Sequence, residues 1–128
     1  MMTEFDIHRK LEFSSPQDIR SVQEQLLRRH LDYLATRSPY YVRLFRDQGI
    51  DPAQGTLARL ASRPFTDRTA LGRFNDDFLA VSRSEIVDIV LSSGTTGKPT
   101  AMMYTENDLR RLAYNEEISF ISCGLTRE

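Results

Sequence analysis

Several things are scarce in this sequence, and each scarcity excludes a class of protein. The chain has one cysteine, Cys123, which excludes an internal disulfide and a multi-cysteine zinc site. It lacks the roughly 20-residue apolar run that crosses a membrane, and its N-terminus lacks the basic-then-apolar order of a signal peptide. With 17 basic against 18 acidic residues, it has no excess of positive charge that would create an electrostatic field to attract nucleic acid or an anionic membrane. These absences predict a protein of the reducing cytoplasm.

The residues that are present form three regions with different hydrophobic patterns. Residues 1–14 are polar and aperiodic, and we expect them to be flexible. Residues 15–84 predict a helical region, since apolar residues recur at helical spacing from about 16 to 36 and shorter helix-and-turn patterns follow. Residues 85–128 predict the start of a sheet around a glycine-rich loop at 92–100.

Capping signals mark the expected helix boundaries in the first half. Ser15 followed by Pro16 is typical of a helix start, and Ser38 followed by Pro39 repeats the signal. Gly49 is placed to end the second helix. Aromatic residues in this half have helical spacing, which predicts a core or buried seam rather than a ligand pocket; they are Tyr40, Tyr41, Phe45, Phe65, Phe74 and Phe78.

The second half predicts a strand, a loop, a return strand and a helix. Residues 85–92 are rich in β-branched residues, and residues 100–104 can form the partner strand. Thr105, with Asp108 at the capping-box position, predicts a helix over about 106–122. Helices followed by a small sheet give an α+β fold.

The loop between the two strands, LSSGTTGKPT, combines several features that bind phosphate. Its two glycines permit positive φ and let backbone N–H groups converge on an anion. Serine and threonine hydroxyls add donors of adjustable direction, and Lys98 adds a positive charge. Each feature alone is also found in plain turns, but their combination after an apolar strand favours a phosphate site.

The loop does not follow the Walker A pattern of P-loop kinases and GTPases. When Gly97 and Lys98 are taken as its glycine-lysine pair, the first glycine of that pattern falls on Ser92. The hydroxyl residue that would bind Mg²⁺ falls on Pro99, and proline also biases the preceding residue away from helical geometry. A glycine loop that joins two strands fits the sequence better.

The run from Ser92 to Thr100 resembles the nucleotide-phosphate loop of the adenylate-forming superfamily. That motif has two hydroxyl residues, glycine, a hydroxyl residue, threonine, glycine, any residue, proline, and then lysine or threonine, and every position is matched. Threonine at the last position resembles the phenylacetate-CoA ligase branch. Three further segments are similar to that branch in amino-acid sequence and in their order along the chain: SPYYVRLFRDQGIDP, RPFTDRTAL and YTENDL. The resemblance extends over about residues 38–125.

The resemblance implies an enzyme that activates a carboxylic acid, such as phenylacetate, with ATP and Mg²⁺ and transfers the acyl group to coenzyme A. Residues 85–128 would then be the start of its nucleotide-binding sheet. Thr95 and Thr96 would donate hydroxyl hydrogen bonds to the outer phosphates, the glycines would allow close backbone approach, and Lys98 would supply charge. The cofactor-binding residues that the resemblance implies are Ser92, Ser93, Gly94, Thr95, Thr96, Gly97 and Lys98.

Much of the family pattern has no counterpart in these residues. The later nucleotide motif, the ribose-binding aspartate, the hinge and the small domain with its catalytic lysine cannot be mapped, so no catalytic residue and no metal ligand is assigned. We therefore expect the 128-residue chain alone not to catalyse adenylation. Apolar surface that the rest of the sheet would cover predicts a homodimer, through the exposed edge of strand 85–92 or through the truncated surface.

Other functions remain open from the residues alone. The same loop could serve adenylation of a different acid, or acyl transfer to a protein. A second class is a non-catalytic phosphate-binding or interaction module, and the simplest structural reading of the loop is an ordinary hairpin turn. Neither nucleic acid nor a membrane is expected as a partner.

Overall fold

The computed structural model describes residues 11–93 and 99–125 of the chain. Helices occupy most of the first half, and a two-stranded sheet and a long helix follow. The α-helices are α1 (Pro16–Arg37), α2 (Pro39–Asp47), α3 (Leu57–Leu60), α4 (Arg68–Arg73) and α5 (Glu106–Ser122). The strands are β1 (Ile86–Leu91) and β2 (Ala101–Thr105), and short 3-10 turns occur at Leu11–Phe13, Pro52–Gln54, Asn75–Phe78 and Arg83–Glu85.

The start of α1 is capped as the sequence predicts. Ser15 Oγ accepts a hydrogen bond from the backbone N–H of Asp18 at 3.2 Å, and Pro16 occupies the first turn, where its missing N–H costs nothing. Both ends of α1 fall within a residue of the predicted range. Gly49 has a φ of 59° just beyond α2, the left-handed conformation that ends a helix at low cost for glycine.

Ser38 precedes α2 as predicted, but its side chain makes different hydrogen bonds from those that the sequence indicated. Its side chain makes no capping bond to the helix. Instead the hydroxyl, which is fully buried, lies 3.1 Å from the carbonyl oxygen of Asp77 and 3.3 Å from that of Phe78. Ser38 therefore joins the α1–α2 junction to the 75–78 turn.

The aromatic residues form a cluster between α2 and the segment that leads to the sheet. Tyr40 stacks on Phe78 with ring centroids 4.0 Å apart, and Tyr41 meets Phe78 edge-on. Phe45, at 8% exposure, and Phe74 complete the cluster. Five of the six residues therefore pack together, although Phe45 alone among them is buried and the other four are half-buried. Phe65 is the exception: it is 92% exposed, because it lies in the loop between α3 and α4 rather than on a helix face.

The sheet is an antiparallel pair with one irregularity. Leu91 pairs with Ala101 next to the loop, and Ile86 pairs with Thr105 at the other end. Between Ile86 and Asp88 the register shifts, which leaves Val87 as an extra residue and bends β1. Thr105 then caps α5: its hydroxyl accepts from the N–H of Asp108, whose carboxylate accepts from the N–H of Thr105, the predicted capping box.

The predicted α+β class is confirmed by this order of helices and strands. The β1 side chains stay open to solvent on both faces; Val87, Ile89, Val90 and Leu91 are each half or more exposed. Across the described ranges, 11–93 and 99–125, we find no helix that combines the length and apolarity required to cross a membrane.

Candidate phosphate-binding loop

Ser92 and Thr100 close the base of the candidate loop. The N–H of Ser92 donates to the Thr100 carbonyl at 3.0 Å, and the N–H of Thr100 donates to Ser92 Oγ at 2.9 Å. In a regular antiparallel pair the second bond would go to the Ser92 carbonyl. The hydroxyl oxygen takes its place, so the ladder ends at Ser92 and the backbone is free to leave the sheet.

Thr100 lies close to α4. The residue is only 8% exposed, and a methyl group added at Gly72 would lie 3.8 Å from Thr100 Oγ1. The end of the loop is thus buried beside the helical region. Fixed flanks of this kind are what a loop needs if its backbone N–H groups are to converge on an anion without reorganising.

Asn75 holds the residue that follows. Its Nδ2–H donates to the Ala101 carbonyl at 2.9 Å, and its Oδ1 accepts from the Ala101 N–H at 3.0 Å. Because both bonding groups of a strand residue point to the same side, those of Ala101 point away from its β1 partner, Leu91. The Asn75 amide therefore takes the position of a neighbouring strand at the start of β2.

Of the seven residues predicted to bind the nucleotide phosphates, two lie in the described part of the chain. Ser92 is half-buried at the loop base, where its hydroxyl oxygen accepts a hydrogen bond from the Thr100 backbone N–H, and Ser93 is exposed beside it. Gly94, Thr95, Thr96, Gly97 and Lys98 lie outside the described residues, and their predicted role stays a prediction.

Sequence reasoning missed Asn75. In the run GRFNDDF it is one of three consecutive small polar residues, a composition typical of a turn. Its neighbours do behave as surface turn residues: Asp76 pairs with Arg83 at 2.7 Å, and Asp77 pairs with Arg43 at 2.6 Å. The pairing of Asn75 with a residue 26 positions away distinguishes it from them.

A separate cavity of about 300 Å³ lies between α1, α2 and the segment 50–66. Its lining is largely apolar, and includes Leu31, Leu34 and Phe45. Two of its polar groups are already engaged: the Tyr41 hydroxyl is bonded to Thr66, and the guanidinium of Arg59 donates to Gln54 Oε1 at 2.7 Å. We assign this cavity no ligand.

The pKa of His30 is lowered, first by loss of solvent around the imidazole and second by the positive charge of Arg111. By surface area His30 is nevertheless an exposed residue. Within residues 11–93 and 99–125 no group of three His, Cys, Asp or Glu side chains could hold a metal ion.

Comparison with known proteins identifies relatives for most of the chain. A phenylacetate-coenzyme A ligase of Thermus thermophilus is 40% identical over 107 residues, which are 81% of this chain and 24% of that protein. The enzymes of the same name from Pseudomonas putida and Escherichia coli are 36% and 35% identical over 105 and 101 residues, covering 80% and 77% of this chain. No family model matches the sequence.

These relatives place the chain with the acid–coenzyme A ligases. More particularly, it is a sequence of the phenylacetate-CoA ligase branch, which confirms the resemblance found in the loop and its flanking segments. The chain spans about a quarter of the length of the relatives that it matches.

Proposed function

We propose that this chain is part of an ATP-dependent carboxylic acid–CoA ligase and that residues 92–100 bind the phosphates of ATP. The observation that carries the proposal is the position of the motif. The motif connects β1 to its antiparallel partner β2, and two hydrogen bonds between Ser92 and Thr100 join the two ends of the loop. The relatives carry an acid–CoA ligase name, and an acid must be activated before a thiol can displace its oxygen.

The chemistry that fits this loop is adenylation. The substrate carboxylate attacks the α-phosphorus of ATP, a new oxygen–phosphorus bond forms, and the bond to the β-phosphate oxygen breaks. Negative charge then grows on the departing pyrophosphate. Backbone N–H groups at Gly94 and Gly97, the hydroxyls of Thr95 and Thr96, and the Lys98 ammonium would stabilise that charge. Mg²⁺ would share this charge when it is bound to the nucleotide.

The second half-reaction would use coenzyme A. Its thiol attacks the acyl carbon of the adenylate, and AMP leaves with the electron pair of the carbon–oxygen bond. Phenylacetate is the acid that the relatives' names suggest. The alternatives are another acid, a protein acceptor in place of coenzyme A, or a module that binds phosphate without catalysis.

We further propose how the chain is organised and where it works. Residues 15–84 would be a helical region, and residues 85–128 the start of the nucleotide-binding sheet; the expectation for residues 1–10 lies outside the described residues. The chain would work in the cytoplasm and, as it stands, would bind phosphate without forming an adenylate. The solvent-exposed apolar side chains of β1 would let two copies pair through the sheet.

Isothermal titration of the 128-residue chain with Mg-ATP, Mg-AMP and pyrophosphate tests the proposal. We expect ATP and pyrophosphate to bind and AMP to bind much more weakly, because the loop would hold the outer phosphates. Lys98→Ala and Thr95→Ala should each weaken pyrophosphate binding about tenfold or more, as loss of a charge-assisted or hydroxyl hydrogen bond does.

Matched controls separate the loop from general charge effects. Lys10→Ala removes the same charge outside the motif, and Thr69→Ala removes an exposed threonine of α4. Both should bind pyrophosphate like the unaltered chain. Equal binding of AMP and ATP, or equal losses in Lys10→Ala and Lys98→Ala, would contradict phosphate binding by this loop. Pyrophosphate release by the 128-residue chain from ATP and phenylacetate would contradict its proposed inactivity.

A further inference from the structure

We propose that Asn75 is a positioning residue for the phosphate loop, holding the loop's exit so that its affinity for phosphate depends on this side chain. The inference rests on the proposed function of residues 92–100. It adds a residue that lies outside the motif and belongs to the helical half of the chain.

The side-chain amide of Asn75 matches the backbone groups of Ala101. A carboxamide has one acceptor and one donor side by side, and it is matched here to the N–H and C=O of a single strand residue at 3.0 and 2.9 Å. Two parallel bonds fix both the distance and the rotation of Ala101, which one bond would not. The residue immediately before it, Thr100, is the closing residue of the loop.

Asn75 is itself held in place by the contacts of the turn that contains it. The adjoining carbonyls of Asp77 and Phe78 lie beside the buried hydroxyl of Ser38, and the Asp77 carboxylate is paired with Arg43. Phe78 also stacks on Tyr40. The 75–78 turn is therefore tied to the α1–α2 junction at several points, and Asn75 transfers that fixed position to β2.

The loop also needs a fixed position relative to the rest of the chain. Ser92 joins the two ends of the loop to each other, which fixes its width but not its placement against the rest of the chain. Asn75 supplies that placement through its two hydrogen bonds to Ala101. An exit that can shift would have to be ordered again each time an anion binds, and that ordering would reduce affinity.

The simplest alternative is that Asn75 only covers the open edge of β2. In that case its loss would lower stability but leave phosphate binding by the folded protein unchanged. Asn75→Asp separates the two roles, because its protonated acid can make the same two hydrogen bonds as the amide. Its ionised form instead places a negative oxygen against the Ala101 carbonyl.

The experiment measures pyrophosphate affinity by isothermal titration at about pH 8 and about pH 5. Partial burial and the facing Ala101 carbonyl oxygen raise the pKa of an aspartate at position 75 above its ordinary value of about 3.9, because both disfavour the charged form. The unaltered chain is measured at each pH, so that changes in the charge of pyrophosphate cancel. Asp76→Asn is the matched control, since it alters the neighbouring exposed carboxylate that pairs with Arg83. Circular dichroism establishes that each variant is folded.

We expect Asn75→Asp to bind about tenfold more weakly than the unaltered chain at pH 8 and to recover most of that difference at pH 5. Asp76→Asn should match the unaltered chain at both. The inference is overturned if folded Asn75→Asp binds as tightly as the unaltered chain at pH 8. It is equally overturned if the deficit is the same at both pH values.

The two proposals fail in distinguishable ways. If the unaltered, folded chain does not bind pyrophosphate, the proposed function fails, and this inference falls with it. If the unaltered chain binds but Asn75→Asp shows no pH-dependent deficit, only the role of Asn75 is wrong. Should Asn75→Asp unfold at pH 8, its affinity at pH 5 decides: the neutral acid must bind within about threefold of the unaltered chain.

Discussion

Replacing Ser92 by alanine tests whether this side chain holds the base of the loop. Ser92 Oγ accepts from the N–H of Thr100 at 2.9 Å, and Thr100 is 8% exposed. Alanine would leave this amide without an acceptor where water has little access. A buried donor without a partner costs about 1–3 kcal/mol. Since 1 kcal/mol corresponds to about 4 °C in a chain of this size, the melting temperature should fall by about 4–12 °C.

Thermal unfolding followed by circular dichroism measures the effect, and two variants serve as controls. Ser92→Thr keeps the hydroxyl and suits a strand end, so it should recover most of the loss. Ser93→Ala removes a hydroxyl from the exposed neighbouring position and should have little effect. An unchanged melting temperature in Ser92→Ala would refute the reasoning. It would mean that a small backbone shift lets Thr100 bond to the Ser92 carbonyl, as in a regular ladder.

Three further outcomes are expected. Ser38→Ala should lower the free energy of unfolding by about 1–2 kcal/mol in urea titration, with the exposed Ser62→Ala as control, because the carbonyl oxygens of Asp77 and Phe78 lose their buried hydroxyl donor. Ile89→Lys should shift sedimentation towards monomer; a native chain that is monomeric at high micromolar concentration would contradict pairing through β1. Because the pKa of His30 is lowered, its contribution to stability is complete above the unfolded value of about 6.5 and declines as pH falls below it. His30→Gln should flatten that part of the profile in pH-dependent urea unfolding.

Local signals predicted the elements well because each boundary is set by neighbours in sequence. The Ser15 cap, Gly49 and the Thr105–Asp108 capping box act within a few residues of themselves, and all three stand where the sequence places them. The strand ends fall within one residue of the predicted ranges for the same reason. Such interactions depend little on the rest of the fold.

Non-local contacts were not predictable in the same way. Ser38 looks like a helix cap in sequence, yet its hydroxyl bonds to carbonyls 39 and 40 residues away. Phe65 shares the composition of the aromatic cluster but not its place, because Pro64 precedes it outside any helix. Asn75 looks like a turn residue, and nothing within a few positions indicates its strand partner. Predicting any of these three positions requires knowledge of the three-dimensional path of the backbone.

The same division between local and non-local contacts bears on the candidate site. The motif from Ser92 to Thr100 is local and indicates the class of chemistry, whereas the placement of the loop depends on the contact between Asn75 and Ala101. Both residues lie within this chain, although it spans only about a quarter of the length of its relatives. The base of the loop can therefore form without the rest of such an enzyme. Phosphate binding should accordingly be separable from catalysis, which needs an acid pocket and a thiol donor as well.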